Sequence, residues 1–186
     1  GTSRVSAIIP MVIDVLNMPA QIEHHYKAYQ GYPFNDPLNG IVKGYSRALR
    51  DYVNMEIFSR FDTDGGKSLL KIVDPYTYRS ILTMPKLIAN STGDQFFLPD
   101  SSKFYFNNMV GKNYLHYAAN TDHSLTSSLM VDMDTLETIL AFYRAHVRNM
   151  ADGGANPVAM PTYDWEYLPD RTAVVDGQLV TYARTK

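Results

Sequence analysis

Met84-Pro85-Lys86-Leu87-Ile88-Ala89-Asn90 opens the stretch that decides the fold. It is a short apolar run after a proline, and it reads as a buried strand. The loop Ser91-Thr92-Gly93-Asp94-Gln95-Phe96-Phe97-Leu98-Pro99-Asp100 follows. Ser101 to Val110 then suggests a helix and Gly111-Lys112 a turn. Tyr114-Leu115-His116-Tyr117-Ala118-Ala119 reads as the next strand, ending at Asn120-Thr121-Asp122-His123.

Working outward, Val5 to Ile13 is apolar on consecutive positions, which favours another strand covered on both faces, with Asp14 at its carboxyl end. From Pro19 to about Leu82 the reading is mostly helical. Ile22, His25, Tyr26 and Tyr29 share one helix face, and Leu49, Tyr52, Val53 and Ile57 another. Gly31-Tyr32-Pro33, Asn35-Asp36-Pro37 and Asp64-Gly65-Gly66 break that segment, and Asp74-Pro75 can start a short helix. After the last strand, Met133, Leu136, Leu140, Tyr143, Val147 and Met150 form one apolar helical stripe. Asp134 with Glu137 makes a capping box, and Gly153-Gly154 with Pro157 a stop. The tail is β-like, with a hairpin signal at Asp176-Gly177. Strand, helices, strand, helix, strand, helix is an α/β pattern, in which crossovers force a parallel sheet.

The 186 residues suffice for one globular core, and a mean hydropathy of -0.23 is too polar for a membrane protein with transmembrane segments. Seventeen basic and 19 acidic residues leave a formal charge of -2 with no long run of either sign, so no nucleic-acid partner and no polybasic membrane anchor is expected. The chain has no cysteine, which excludes disulfides and thiolate chemistry. It opens at Gly1 and enters an apolar run within four residues, so it reads as a piece of a longer polypeptide whose signal peptide, if any, lies outside it.

Functional groups of open α/β sheets gather at the carboxyl ends of the strands, where Asp14, Asp94 and His123 sit. Asp94 and His123 are separated by one strand-helix-strand unit, which sets both loops on the same sheet edge. A carboxylate meeting an imidazole there is the orienting half of a nucleophilic triad, and acid before histidine is the order of an α/β-hydrolase. The plainer reading is that Asp94 caps a helix and His123 hydrogen-bonds within its loop. A nucleophile elbow is missing. Gly44-Tyr45-Ser46-Arg47-Ala48 comes nearest, yet it lies in a helical pattern with no strand before it and reads as a helix with an exposed serine.

Other motifs fail on their spacing. Gly66-Lys67-Ser68 has Phe61 where a phosphate loop needs its first glycine, and Asp62-Thr63-Asp64 has Lys67 and Val73 where a calcium loop needs glycine and glutamate. Both read as polar turns. Glu23-His24-His25 lacks the spacing of a zinc helix, so one histidine packs and the other is solvated. His116 and His146 read as structural or surface residues. No metal or cofactor is called for.

Several blocks together resemble the PhoPQ-activated pathogenicity-related protein family. They are Pro10-Met11-Val12-Ile13-Asp14-Val15-Leu16-Asn17-Met18, Glu23-His24-His25-Tyr26, Asp74-Pro75-Tyr76-Thr77-Tyr78-Arg79, Leu82-Thr83-Met84-Pro85-Lys86, Gly93 to Ser102, and Asn120-Thr121-Asp122-His123-Ser124-Leu125. The resemblance implies the C-terminal half of an α/β-hydrolase domain, entered at about its sixth strand and covering residues 1–155. A helical insertion at about 18–82 would lie beside the active-site edge. Residues 156–186 would begin a β-sandwich-like domain. Asp94 matches the acid after the seventh strand and His123 the base after the eighth, with the serine upstream, so this chain alone is expected to be inactive. Asp14 remains a rival acid, and Asp122 could compete for His123. The family includes secreted members described as autocrine proliferation repressors. The resemblance therefore implies a secreted or periplasmic serine hydrolase acting on an ester or peptide, or alternatively a non-catalytic signalling protein that meets a receptor. Either would need the upstream part of the same polypeptide to complete the sheet.

Overall fold

A computed structural model describes residues 4–36, 40–127, 130–148, 159–161, 167–175 and 178–185, with side chains left undescribed at 30–43, 127–131 and from 162 onward. Its centre is a parallel pair, β3 (Lys86–Ser91) and β4 (Asn113–Ala118), in continuous register from Lys86 opposite Asn113 to Ser91 opposite Ala118. Every residue of β3 is buried, because β4 flanks one edge and the Val5–Ile13 run the other. That makes the chain α/β, and the two strands bounded by Pro85 and Gly111 are those expected from sequence.

The first run departs from the expected covered strand. It bonds alongside β3 through Leu87 N–H to Ile8 O (3.1 Å), Ala89 N–H to Pro10 O (3.0 Å) and Val12 N–H to Ala89 O (2.8 Å). It forms only isolated bridges, at Ile8 and Met11. Pro10 has no N–H to give, and Val12 sits at φ +47°, a conformation β-branched residues rarely accept, so the ladder cannot extend. Val5, Met11 and Ile13 are exposed, whereas Asp14 turns inward and is buried.

Between the first run and β3 the chain is mixed rather than mostly helical. α1 (Met18–Tyr29) is followed by an antiparallel hairpin, β1 (Gln30–Asp36) and β2 (Gly40–Gly44). Pro33 falls inside β1, which an isolated two-stranded ribbon tolerates because each strand has a free edge. α2 (Arg50–Asn54) is short, so Ile57 lies beyond it. α3 (Asp64–Val73) runs through Gly65 and Gly66 instead of breaking there. Thr63 caps it, accepting from Gly66 N–H at 3.1 Å. A 3-10 turn at Pro75–Tyr78 starts at Asp74 as expected. The buried Asp74 carboxylate accepts from Tyr76 N–H (2.9 Å) and also from Met18 N–H (2.9 Å), which caps α1 across the fold.

Lys86 is buried at the start of β3 with its ammonium donating to the carbonyls of Leu82 (2.5 Å), Met84 (2.8 Å) and Val110 (2.9 Å). The core beside β3 packs Leu16, Ile88, Tyr105 and Met109. Tyr105 is fully buried at a kink that splits the expected Ser101–Val110 helix into 3-10 turns at Ser101–Phe104 and Phe106–Asn108. A β-ladder of two residues each, β5 (Thr126–Ser127) and β6 (Met130–Val131), leads into α4 (Met133–Tyr143), which continues as a π-helical turn, Arg144–Arg148.

The cap of α4 is Asp132, accepting from Thr135 N–H at 2.8 Å, rather than the Asp134–Glu137 box. Its expected core stripe is also turned outward: Met133, Leu136, Leu140 and Tyr143 are exposed, while Thr135, Phe142 and His146 are buried. Met150, Gly153, Gly154 and Pro157 lie outside the described residues. In the tail, β7 (Tyr167–Val175) and β8 (Gln178–Thr185) pair antiparallel with Val175 opposite Gln178, the hairpin expected from sequence, although its turn residues Asp176 and Gly177 are outside the described set.

Candidate active site

The loops after β3 and β4 emerge at the same edge because their strands are parallel and adjacent. They are tied together closely. Gly93 N–H donates to Thr121 O (2.9 Å), Thr92 N–H to Ala118 O (3.1 Å), and Thr121 Oγ1 to Ser91 Oγ (2.9 Å). A Cβ on Gly93 would meet Thr121 O at 2.7 Å, so the close approach itself requires glycine.

On this platform Asp94 Oδ2 lies 2.8 Å from His123 Nδ1. The carboxylate's other oxygen accepts from Phe96 N–H (2.7 Å) and Phe97 N–H (3.2 Å). Asp94 therefore caps its own turn and holds the histidine at once. Its side chain is 2% exposed and that of His123 35%. The acid is shielded while the base reaches the surface. An ionised carboxylate can only accept, so Nδ1 carries the proton and the neutral ring keeps its lone pair on Nε2. Among the described residues Nε2 has no hydrogen-bond partner. Phe96 and Phe97 pack on the imidazole, with ring centres 4.5 and 5.9 Å away. Gln95 Oε1 accepts from His123 N–H at 3.4 Å. All three fall in the Gly93–Ser102 block that carries the family resemblance, but the sequence assigns them no role beside His123.

The rival acids are engaged elsewhere. Asp14 Oδ2 accepts from the Tyr117 hydroxyl at 2.8 Å. Burial pushes the Asp14 carboxyl up to about 6, with the neighbouring Tyr105 and Tyr117 hydroxyls opposing and the Asp94 charge adding to the rise. Its other oxygen, the Tyr105 hydroxyl and the Asn90 amide are buried as neighbours, without a well-aligned hydrogen bond among the described residues. Asp122 turns to Ser124, accepting from its backbone N–H (2.8 Å) and its hydroxyl, and these bonds hold its carboxyl below the usual range.

Of the adjacent histidines, His25 is buried and stacked on Tyr29 (4.5 Å), and burial pushes its pKa down to about 4. His24 is paired with Asp100 (2.7 Å) rather than solvated, and Lys103 also reaches that carboxylate (2.6 Å). Burial raises the Asp100 pKa, but these two partners outweigh it and hold the carboxyl down to about 2. His116 bonds Thr135 (2.9 Å) and His146 bonds the Tyr114 hydroxyl (3.1 Å), both structural roles. No three or more histidine or acidic side chains are grouped to hold a metal among the described residues.

Ser46 differs from its expected helical, exposed setting. A strand, β2, does precede it, and the serine is buried, capping a 3-10 turn by accepting from Ala48 N–H at 3.2 Å. Among the described residues no hydrogen bond joins its hydroxyl to His123.

A cavity of about 300 Å3 lies between the 18–82 segment and the loop after β3. Leu49, Ile57, Phe58 and Phe61 line it on one side, Phe96 and Phe97 on the other. Among the described residues no helix is long and apolar enough to cross a membrane.

The sequence profile of the PhoPQ-activated pathogenicity-related protein family matches residues 1–176. Autocrine proliferation repressor protein A of Dictyostelium discoideum is 30% identical over 165 residues, which are 88% of this chain and 28% of that protein. The chain thus spans little more than a quarter of the length of this curated relative. No solved structure gives a significant match. With nearly its whole length matched by the family profile, the chain belongs to the PhoPQ-activated pathogenicity-related protein family.

Proposed function

We propose that Asp94 and His123 are the acid and base of a Ser-His-Asp hydrolase of the α/β-hydrolase fold, with the serine in upstream sequence of the complete polypeptide. The observation that carries the reading is the 2.8 Å contact between a buried, doubly hydrogen-bonded Asp94 and a half-exposed His123 whose Nε2 is open. The serine hydroxyl attacks an ester or peptide carbonyl, and its proton passes to His123 Nε2. That proton then goes to the leaving alcohol or amine as the carbonyl–heteroatom bond breaks. Water repeats the sequence on the acyl-enzyme, His123 taking its proton and returning it to the serine. Asp94 fixes the tautomer and stabilises the imidazolium.

Residues 1–155 are on this reading the C-terminal part of the hydrolase domain, with the 18–82 segment inserted beside its site, and 156–186 begin a β-sandwich-like unit. The outward apolar stripe of α4 and the exposed Met11 and Ile13 support a further part of the same polypeptide packing there to complete the sheet. A secreted or periplasmic location goes with the reading. In the complete polypeptide, His123→Ala and Asp94→Asn each lower ester or peptide turnover by about 10³–10⁴-fold or more while the protein stays folded. Unchanged turnover in either variant overturns the assignment.

A second reading draws on the name of the Dictyostelium relative. It makes the protein a non-catalytic secreted signal on the same scaffold, Asp94 and His123 serving only to pin the two loops, and a protein receptor its partner. A folded complete polypeptide without a reactive serine favours it.

A further inference from the structure

The acid–base pair does not use the cavity beside it, yet the two share a wall. Phe96 and Phe97 line the cavity and also pack on the His123 imidazole. A group seated there touches the same two rings that pack on His123. The volume, about 300 Å3, falls at the lower end of small-molecule pockets.

The lining carries no aspartate, glutamate, lysine or arginine. Of its polar groups, Gln21 Nε2 donates to Leu16 O and Ser101 O, both at 3.1 Å, while the His25 ring, kept neutral by burial and stacked on Tyr29 and Tyr45, leaves its buried Nδ1 without a hydrogen-bond partner among the described residues. Such a wall presents no charge to a charged ligand, which would lose its hydration without a counter-ion. Leu69 and Val73 of α3 are exposed at the rim, so the cavity has a mouth.

We propose that this cavity receives a neutral apolar group of the substrate, an alkyl chain or aromatic ring, placing the bond to be cleaved at His123. The inference rests on the hydrolase reading and adds the substrate class. It also gives the 18–82 segment a role: Leu49, Ile57, Phe58 and Phe61 supply the selectivity that the loop after β3 alone could not.

The test uses the complete polypeptide and two readouts. In the first, 4-nitrophenyl esters from acetate to octanoate are compared. kcat/KM rises about fourfold per methylene until the cavity is filled. Leu69→Trp and Val73→Trp, at exposed rim positions and with native circular dichroism, bring the hexanoate-to-acetate ratio close to one. In the second, the neutral dye N-phenyl-1-naphthylamine binds saturably and is displaced by hexanol far better than by hexanoate or hexylammonium. Both variants abolish that binding. A flat chain-length profile with turnover still dependent on His123 overturns the cavity's role and leaves the hydrolase reading standing. Absence of turnover with any ester or peptide removes the hydrolase reading, and the inference falls with it. Binding unaffected by either tryptophan overturns the inference.

Discussion

Asp14 offers a test of the buried polar end of the sheet that needs no substrate. The residue is 1% exposed, and its pKa is raised by burial from 3.8 to about 6. The unfolded chain therefore loses this proton near pH 4, whereas the folded chain holds it until about pH 6. Between those values the folded state binds more protons, so its stability falls as pH rises. A shift of about two units at ~1.36 kcal/mol each makes the total loss about 3 kcal/mol, complete above pH ~6. Asparagine cannot ionise, and its carbonyl can still accept from the Tyr117 hydroxyl. Asp14→Asn should thus gain on the native protein by about 3 kcal/mol between pH ~4 and pH ~8. Guanidinium unfolding of the complete polypeptide, followed by circular dichroism, reads this as a midpoint difference growing by about 0.5–1.5 M. Subtracting variant from native removes every other titrating group. A difference that stays flat across that range refutes the burial argument.

Two further substitutions probe how the platform is held. Lys86→Met keeps the buried stem but strands three carbonyls, so unfolding measurements should show a loss of about 2–3 kcal/mol. Gly93→Ala forces a Cβ to within 2.7 Å of Thr121 O and should cost about 1–3 kcal/mol, with faster amide exchange at Gly93 as the loops part.

How much could be read from sequence follows from what each feature depends on. β3 and β4 were legible because their apolar runs are short and bounded by Pro85, Gly111 and polar loops, and a parallel pair sends its carboxyl ends to one edge. That topology brings the Asp94 and His123 loops to one edge, but it leaves open whether Asp94 does more than cap its own turn; the contact itself depends on how the two loops fold. The Val5–Ile13 run looked like a full strand because apolarity reports burial and not hydrogen bonding, which Pro10 and the φ of Val12 interrupt. The β1–β2 hairpin was hidden because Gly31, Pro33 and Pro37 read as breakers, and only pairing partners show that a two-stranded ribbon accommodates them. The α4 stripe is a real amphipathic pattern, but a pattern cannot say whether its partner is among the described residues, and here the stripe is exposed. Phe96 and Phe97 lie in the block that carries the family resemblance, but their packing on His123 was not legible, since it depends on how two loops 27 and 26 residues apart in sequence (123 − 96 and 123 − 97) come together.

The central claim is that the open Nε2 of His123 serves a serine. The most direct measurement treats the complete polypeptide with a fluorophosphonate probe and locates the modified residue by mass spectrometry. The account predicts labelling of one serine upstream of this chain, lost in His123→Ala. A folded protein that takes no label, or that labels equally well without His123, contradicts it.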